Sequence, residues 1–283
     1  MTEPNLESND DLLASAPTVY GPAAFQGKTV LISGGAGGLG RACGWLLGRL
    51  GARVVIAGRD PEKLAGAVAS MRAKGLDARS HGVDIREPQS VETLFGWLDG
   101  EIGPIDLLVN SAGGQFPQAA IDFSEKGWNT VVNTNLNGTW RMMQGAARRW
   151  QSQERPGAIV NIVVVTRQGL HGVAHTIAAR AGVIALSEAL AVEWAPLKIR
   201  VNCIAPGAIE TPGWKVYDPA VRKTYASSNP MMRAGKAWEV AEACAYLGGA
   251  ASQYVTGETL HVAGGGQLWG EVWTIPKPDY FKV

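Results

Sequence analysis

The segment Ser33-Gly34-Gly35-Ala36-Gly37-Gly38-Leu39-Gly40-Arg41 follows a short β-branched run and leads into an apolar, helix-like stretch. Strand, glycine-rich turn and helix in that order bring backbone N–H groups and a helix N-terminus against a pyrophosphate. A second β-branched run ends Ala57-Gly58-Arg59-Asp60. A carboxylate at that tip would accept from both ribose hydroxyls of NAD. Gly58 and Arg59 offer a guanidinium fork to a 2′-phosphate instead, which favours NADP(H) over NAD(H). A solvent-facing Arg59 that simply begins a helix is the other reading. Asp84, with Ile85 after it, closes a third run, where a carboxylate could cap an adenine amino group.

These groups need a scaffold, and the apolar pattern supplies one. Strands are predicted at 29–33, 53–57, 80–84, 106–110, 158–165, 200–205 and 259–262. Helices are predicted between them at 39–50, 61–74, 88–101, 126–151, 177–194 and 237–247. Continuously apolar strands separated by helices predict a single doubly wound α/β domain of the Rossmann type. Its parallel sheet of about seven strands carries helices on both faces. The domain is expected over 25–268, after a flexible arm at 1–24 and before a tail at 269–283 that holds Trp269, Trp273 and Tyr280. Within it, 211–233 breaks the rhythm with Pro212, Pro219 and Pro230 and reads as a substrate lid.

Composition narrows the function classes. The 283 residues are 46% hydrophobic and 18% charged, enough for a large core and too apolar for a disordered chain. A net charge of +1 gives no basic field for a phosphodiester backbone, so nucleic acid is not an expected partner. Cys43, Cys203 and Cys244 are too far apart in sequence for a zinc pattern or a disulfide framework. No uninterrupted apolar stretch approaches the length of a membrane span, and the acidic N-terminus is unlike a signal peptide. A cytoplasmic protein acting on a small molecule, with no membrane partner, is the expectation.

The spacing of Gly34, Gly38 and Gly40 resembles the wide TGxxxGxG turn of the short-chain dehydrogenase/reductase superfamily, with Ser33 in place of Thr. Asn110-Ser111-Ala112-Gly113 is similar to the family's NNAG, which supports the nicotinamide side. Asn135 matches the asparagine that interrupts the fourth helix and holds a catalytic water. Pro206-Gly207-Ala208-Ile209-Glu210-Thr211 resembles the PGxxxT that binds the carboxamide. Gly264-Gly265-Gly266 fits the glycine-rich end after the last strand, so the resemblance covers about 26–268.

The departures fall on the catalytic residues. Where the family has Ser, Tyr and Lys, this chain has a valine in Val160-Asn161-Ile162-Val163-Val164, then Thr176 and Arg180. A carbonyl reductase of this kind needs a phenol made acidic by a neighbouring ammonium. Thr does not ionise near neutral pH and Arg does not release its proton, although Arg180 can still hydrogen-bond a ribose. Hydride addition to the β-carbon of a conjugated thioester needs only donors to an enolate oxygen. Enoyl-CoA and 2,4-dienoyl-CoA reductases share this departure. The chain resembles the peroxisomal trans-2-enoyl-CoA reductase type through Gly113-Gly114-Gln115-Phe116, Lys126-Gly127-Trp128 and Ala178-Ala179-Arg180-Ala181-Gly182-Val183.

That resemblance implies an NADPH-dependent reduction of a conjugated C=C, with an acyl-CoA as the substrate class. Asn135, Thr166, Thr176 and Arg180 are the expected catalytic set, and Thr166 and Thr176 the candidate enolate donors. His171, His175, Tyr217 and Tyr225 are other sources of a proton or of pocket closure. Two alternatives stay open: a carbonyl or alcohol oxidoreductase with a different acid, and an inactive dinucleotide-binding homologue. The helix at 177–194 is apolar on nearly every side, and so predicts a subunit contact in a homotetramer or homodimer.

Overall fold

The central apolar runs become strands buried on both faces, while the two edge strands stay only partly buried. The computed structural model describes residues 10–167, 170–270, 274 and 278. In chain order the elements are α1 (Asp10–Ser15), β1 (Thr29–Ser33), α2 (Gly38–Arg49), β2 (Arg53–Gly58), α3 (Pro61–Ala73) and β3 (Ala78–Gly82). Then come α4 (Pro88–Trp97), β4 (Leu107–Asn110), α5 (Glu125–Val132), α6 (Thr139–Ser152), β5 (Gly157–Ile162) and α7 (Ala174–Trp194). The last are β6 (Ile199–Pro206), β7 (Ile209–Glu210), α8 (Pro219–Arg222), β8 (Gly235–Lys236), α9 (Ala237–Gly248) and β9 (Thr259–Val262).

Seven strands form one parallel sheet in the order β3-β2-β1-β4-β5-β6-β9, and β7 pairs with β8 in a separate two-stranded ribbon. The period of two along each strand divides the core. Val30, Ile32, Val54 and Ile56 pack with α2, α3 and α9, while Leu31, Val55 and Ala57 pack with α4, α6 and α7. Both faces are thereby covered, as a parallel sheet requires. β1 lies between β2 and β4, so the order reverses there and opens a crevice at the C-terminal ends of the strands.

Helix starts follow local chemistry. Asp60 accepts from the Lys63 amide at 3.1 Å with Pro61 in the first turn, and Ser124 accepts from the Gly127 amide at 3.0 Å. Several predicted boundaries move, three of them for a visible physical reason. β3 ends at Gly82 rather than Asp84, because the Asp84 carboxylate accepts from the Arg86 amide at 3.0 Å and turns the chain toward α4. β5 ends at Ile162 rather than residue 165: β4 stops pairing at Asn110, and only Val163 continues, donating to Ile204 O at 2.8 Å. The single helix expected at 126–151 is α5 and α6 joined by a π-helical turn, Asn133–Gly138.

Residues 10–20 run along the body instead of standing off it. Asp10 pairs with Arg41 at 2.5 Å and Asp11 with Lys74 at 2.8 Å, while Trp238 donates to Pro17 O at 2.9 Å. Residues 1–9, Trp273 and Tyr280 lie outside the described residues.

Candidate active site

The turn between β1 and α2 is built for close approach. Gly34 has φ +74°, and a Cβ there would stand 2.7 Å from the Ala112 amide nitrogen. A Cβ at Gly40 would stand 2.6 Å from Gly34 O, and Gly38 opens α2 with φ +50°. No side chain caps α2 at Gly37, so the first-turn N–H groups face an open approach lined by backbone. That is the chemistry a pyrophosphate needs, and the glycines fit a dinucleotide. Leu39 is half-buried against the core behind the turn. Ser33 Oγ donates to Asn110 Oδ1 and accepts from the Ala112 amide, both at 3.3 Å, tying the turn to the end of β4.

At the far end of the crevice Arg59 is exposed just beyond β2. Asp84 is not free there. Its carboxylate accepts from Arg86 at 2.5, 2.9 and 3.1 Å, and this pairing holds it below the usual carboxylate range. Ile85 turns its side chain into the core against Gly138, which leaves only its backbone toward the crevice.

The catalytic side centres on Arg180, which is only 7% exposed. Nη1 donates to Asn135 O and Nη2 to Ala112 O, both at a long 3.4 Å. No carboxylate among the described residues pairs with it, and burial pushes its pKa down to about 10, so it stays charged near neutral pH. A Cβ at Gly113 would stand 2.1 Å from Nη2, so glycine there is what lets the guanidinium lie against the β4 loop. Asn135 sits in the π turn with its side chain committed: Oδ1 accepts from Gly114 N and Nδ2 donates to Gly114 O, each at 3.0 Å. The Asn135 side-chain amide thus clamps the loop, while its backbone carbonyl meets Arg180.

Thr176 is buried, and its amide donates to His175 Nδ1 at 2.7 Å. His175 is itself fully buried, stacked on Phe123 at 4.4 Å and edge-on to Phe116 at 4.6 Å. Burial lowers its pKa, so it is neutral, and among the described residues its Nε2 has no hydrogen-bond partner. Thr166 is half-buried beyond β5, and His171 is exposed on the following loop. Neither threonine shares a hydrogen bond with Arg180, and Val163 and Val164 carry no hydroxyl.

Beyond β6, Pro206 is buried, and a Cβ at Gly207 would come within 2.9 Å of Ala263 Cα. Ile209 is buried in the β7–β8 ribbon and Thr211 is half-buried at the start of 211–233. That segment folds as α8 between two 3-10 turns, Pro212–Val216 and Tyr225–Ser228. Trp214 meets Tyr225 edge-on at 4.8 Å, and Tyr225 meets Tyr217 at 6.0 Å. Gln115 Nε2 donates to Tyr217 Oη, linking the β4 loop to the 211–233 segment.

A buried polar row runs under the site that sequence reasoning missed. Asn110, Asn161 and Cys203 are register partners. Asn110 Nδ2 donates to Asn161 Oδ1 at 2.8 Å, Asn161 Nδ2 to Ser187 Oγ at 2.9 Å, and Ser187 Oγ to Val183 O at 2.7 Å. One asparagine inside the apolar run Ile159-Val160-Asn161-Ile162 was the available signal, because a polar residue in a strand buried on both faces needs partners. Burial pushes the Cys203 thiol up to about 11, which leaves it an inert packing group.

Residues 34–267 match the family model described as Enoyl-(Acyl carrier protein) reductase. The chain is 35% identical over 242 residues to the 3-oxoacyl-[acyl-carrier-protein] reductase FabG of Escherichia coli (strain K12), covering 85% of this chain and 98% of that one. It is 33% identical over 247 residues to a "probable 2,4-dienoyl-CoA reductase" of Bacillus subtilis (strain 168), covering 85% and 97%. Among solved structures, a gluconate 5-dehydrogenase from Burkholderia cenocepacia J2315, in complex with NADP and tartrate, superposes with a TM-score of 0.83 at 29% identity. It covers 89% of this chain and 100% of that one. By that family match over most of its length and by these relatives, the chain belongs to the short-chain dehydrogenase/reductase superfamily.

Proposed function

We propose that this oxidoreductase uses NADPH to reduce a conjugated C=C, most simply that of an enoyl-CoA or related enoyl thioester. The observation that carries the reading is the pairing of a buried, carboxylate-free Arg180 with the loss of every ionisable hydroxyl at the strand and helix positions. When bound, the nicotinamide supplies a hydride, which here would add to the β-carbon of the substrate. The bonding electrons of the C=C then reach the thioester oxygen as an enolate. Protonation of the α-carbon by water completes a saturated thioester. Arg180 binds and orients from beneath the Gly113 loop, and its positive charge in a dry site favours an anion forming above it. Thr166 and Thr176 are the proposed hydroxyl neighbours of that path. Arg59, exposed and free of any ion pair among the described residues, is the proposed 2′-phosphate ligand. The family description and the dienoyl-CoA relative support reduction of C=C, and the cofactor of the gluconate 5-dehydrogenase complex supports NADP(H).

The FabG relatives favour a second reading, reduction of a 3-oxoacyl carbonyl, which would need an acid from elsewhere in the site. The experiment is NADPH oxidation, with NADH in parallel, over trans-2-enoyl-CoAs, 2,4-dienoyl-CoAs and matched 3-oxoacyl thioesters. Turnover of the unsaturated thioesters with NADPH is the expected result. Turnover confined to 3-oxoacyl substrates would transfer the site to the carbonyl reading. Tight NADPH binding with no turnover of either class would make this an inactive dinucleotide-binding homologue.

A further inference from the structure

A developing enolate oxygen needs a donor that projects into the crevice, and the buried Thr176 is a poor one. The sheet order shows where another arises. β5 lies between β4 and β6, so the β4 loop and the lid after β6 stand on either side of the end of β5. The Gln115–Tyr217 hydrogen bond joins those two segments, which leave the strands on either side of β5. Gln115 follows Gly113 and Gly114, which Arg180 and Asn135 hold in place. The phenol oxygen accepts from Gln115, so its own proton is left to donate.

The other described tyrosines do not share this position. Tyr20 donates to Glu242 O, Tyr246 packs with the core on α9, and Tyr254 is fully exposed. Tyr225 backs the Tyr217 ring edge-on.

We infer that Tyr217 is the lid-borne hydroxyl that donates a hydrogen bond to the substrate's oxygen as negative charge forms on it, with Gln115 as its positioning residue. This deepens the reductase reading above and rests on it. The phenol keeps its proton through the hydride step, and the α-carbon proton comes from water, so no further co-reactant enters. Burial holds the Tyr217 phenol above its ordinary pKa while the Gln115 contact opposes that, so it is a protonated donor throughout the neutral range. The same donor would serve an alkoxide if the substrate were a ketone.

The test compares Tyr217→Phe and Gln115→Ala with the wild type in the full chain, each assayed with NADPH on the best substrate of the panel above. Tyr217→Phe keeps the ring against Tyr225 and removes only the hydroxyl. Loss of one oxyanion donor lowers kcat by about 100-fold, with KM and NADPH affinity nearly unchanged. Gln115→Ala leaves the phenol present but unaimed and lowers kcat by about tenfold. A Tyr217→Phe enzyme with wild-type kcat, or one changed only in KM, overturns the inference and leaves the reductase reading standing. If Tyr217→Phe loses NADPH binding, the Gln115→Ala kcat decides, and an unchanged value overturns it. A wild type active only on 3-oxoacyl substrates sinks the C=C reading, and the same two variants then judge Tyr217 on the alkoxide. A wild type inert to both classes overturns the two together.

Discussion

Gly113 and Arg180 act as a single device at the residue scale. The guanidinium reaches its two carbonyls only because nothing projects from Gly113, where a Cβ would meet Nη2 at 2.1 Å. Gly113→Ala therefore has a predictable consequence. The clash is with the tip of a flexible side chain, so the backbone need not move and melting temperature should stay close to that of the wild type. The displaced guanidinium no longer lies against the β4 loop, and kcat/KM should fall by at least about tenfold, as misplacing a positioning group does. Thermal melts and steady-state kinetics on one preparation check both halves. A variant with full activity would mean that Arg180 does not work from this position. The sequence made Arg180 visible by its place four residues after Thr176. It did not reveal that Gly113 makes room for it, because that dependence joins residues on β4's loop and α7 through space.

Element-scale context explains His175, which opens α7 in a shell of Phe116, Phe123, the Thr176 amide and the carbonyls of Val173 and Phe116. Among the described residues no charged side chain offsets its burial, and the positive end of a helix disfavours an imidazolium further. Its folded pKa lies below the ordinary histidine value of about 6.5. The unfolded chain thus binds a proton that the folded chain refuses as pH falls through that value, and stability drops with it; above it this contribution is constant. Urea unfolding at several pH values should show a steeper loss of midpoint below that pH in the wild type than in His175→Phe. Parallel profiles would refute the assignment.

Other element-scale features left weaker marks in the sequence. Val163-Val164-Val165 has strand composition, but its strand partner on β4 has already turned away, and composition does not record where a neighbour ends. The π turn at Asn133–Gly138 keeps helical dihedrals on either side, so apolar spacing ran through it as one helix. The cluster of Asn133, Asn135, Asn137 and Gly138, all poor helix formers, marked the break, as did the family resemblance at Asn135. By contrast, strand existence and the parallel doubly wound sheet were legible, because two-sided burial forces continuous apolar runs separated by helices.

The whole molecule uses its surface unevenly. One side is closed by its own chain: the arm bridges to α2, α3 and α9 through the Asp10–Arg41 and Asp11–Lys74 pairs, the Trp238 contact and the Tyr20 hydroxyl on Glu242 O. Among the described residues the other side is not. α7 buries Ala179, Val183, Leu190 and Ala191 against the sheet. It leaves Ala178, Ala185, Ala189 and Val192 exposed along one row, Val192 at 79%. By length and composition the helix could span a membrane, yet its buried row packs on β5 and β6, which accounts for its apolar inner side as core. The outer row has small side chains that let a second helix approach closely, and we propose that a copy of this chain covers it in a homodimer or homotetramer. Sedimentation of the wild type should give a dimer or tetramer. Val192→Glu places a charge at the most prominent apolar side chain of the row, where a charge buried without a partner is costly. The variant should shift toward monomer at micromolar concentration with its fold intact. A wild type that sediments as a monomer would show that α7 is apolar outside for some other reason, and a Val192→Glu assembly unchanged in size would move the contact to a different face.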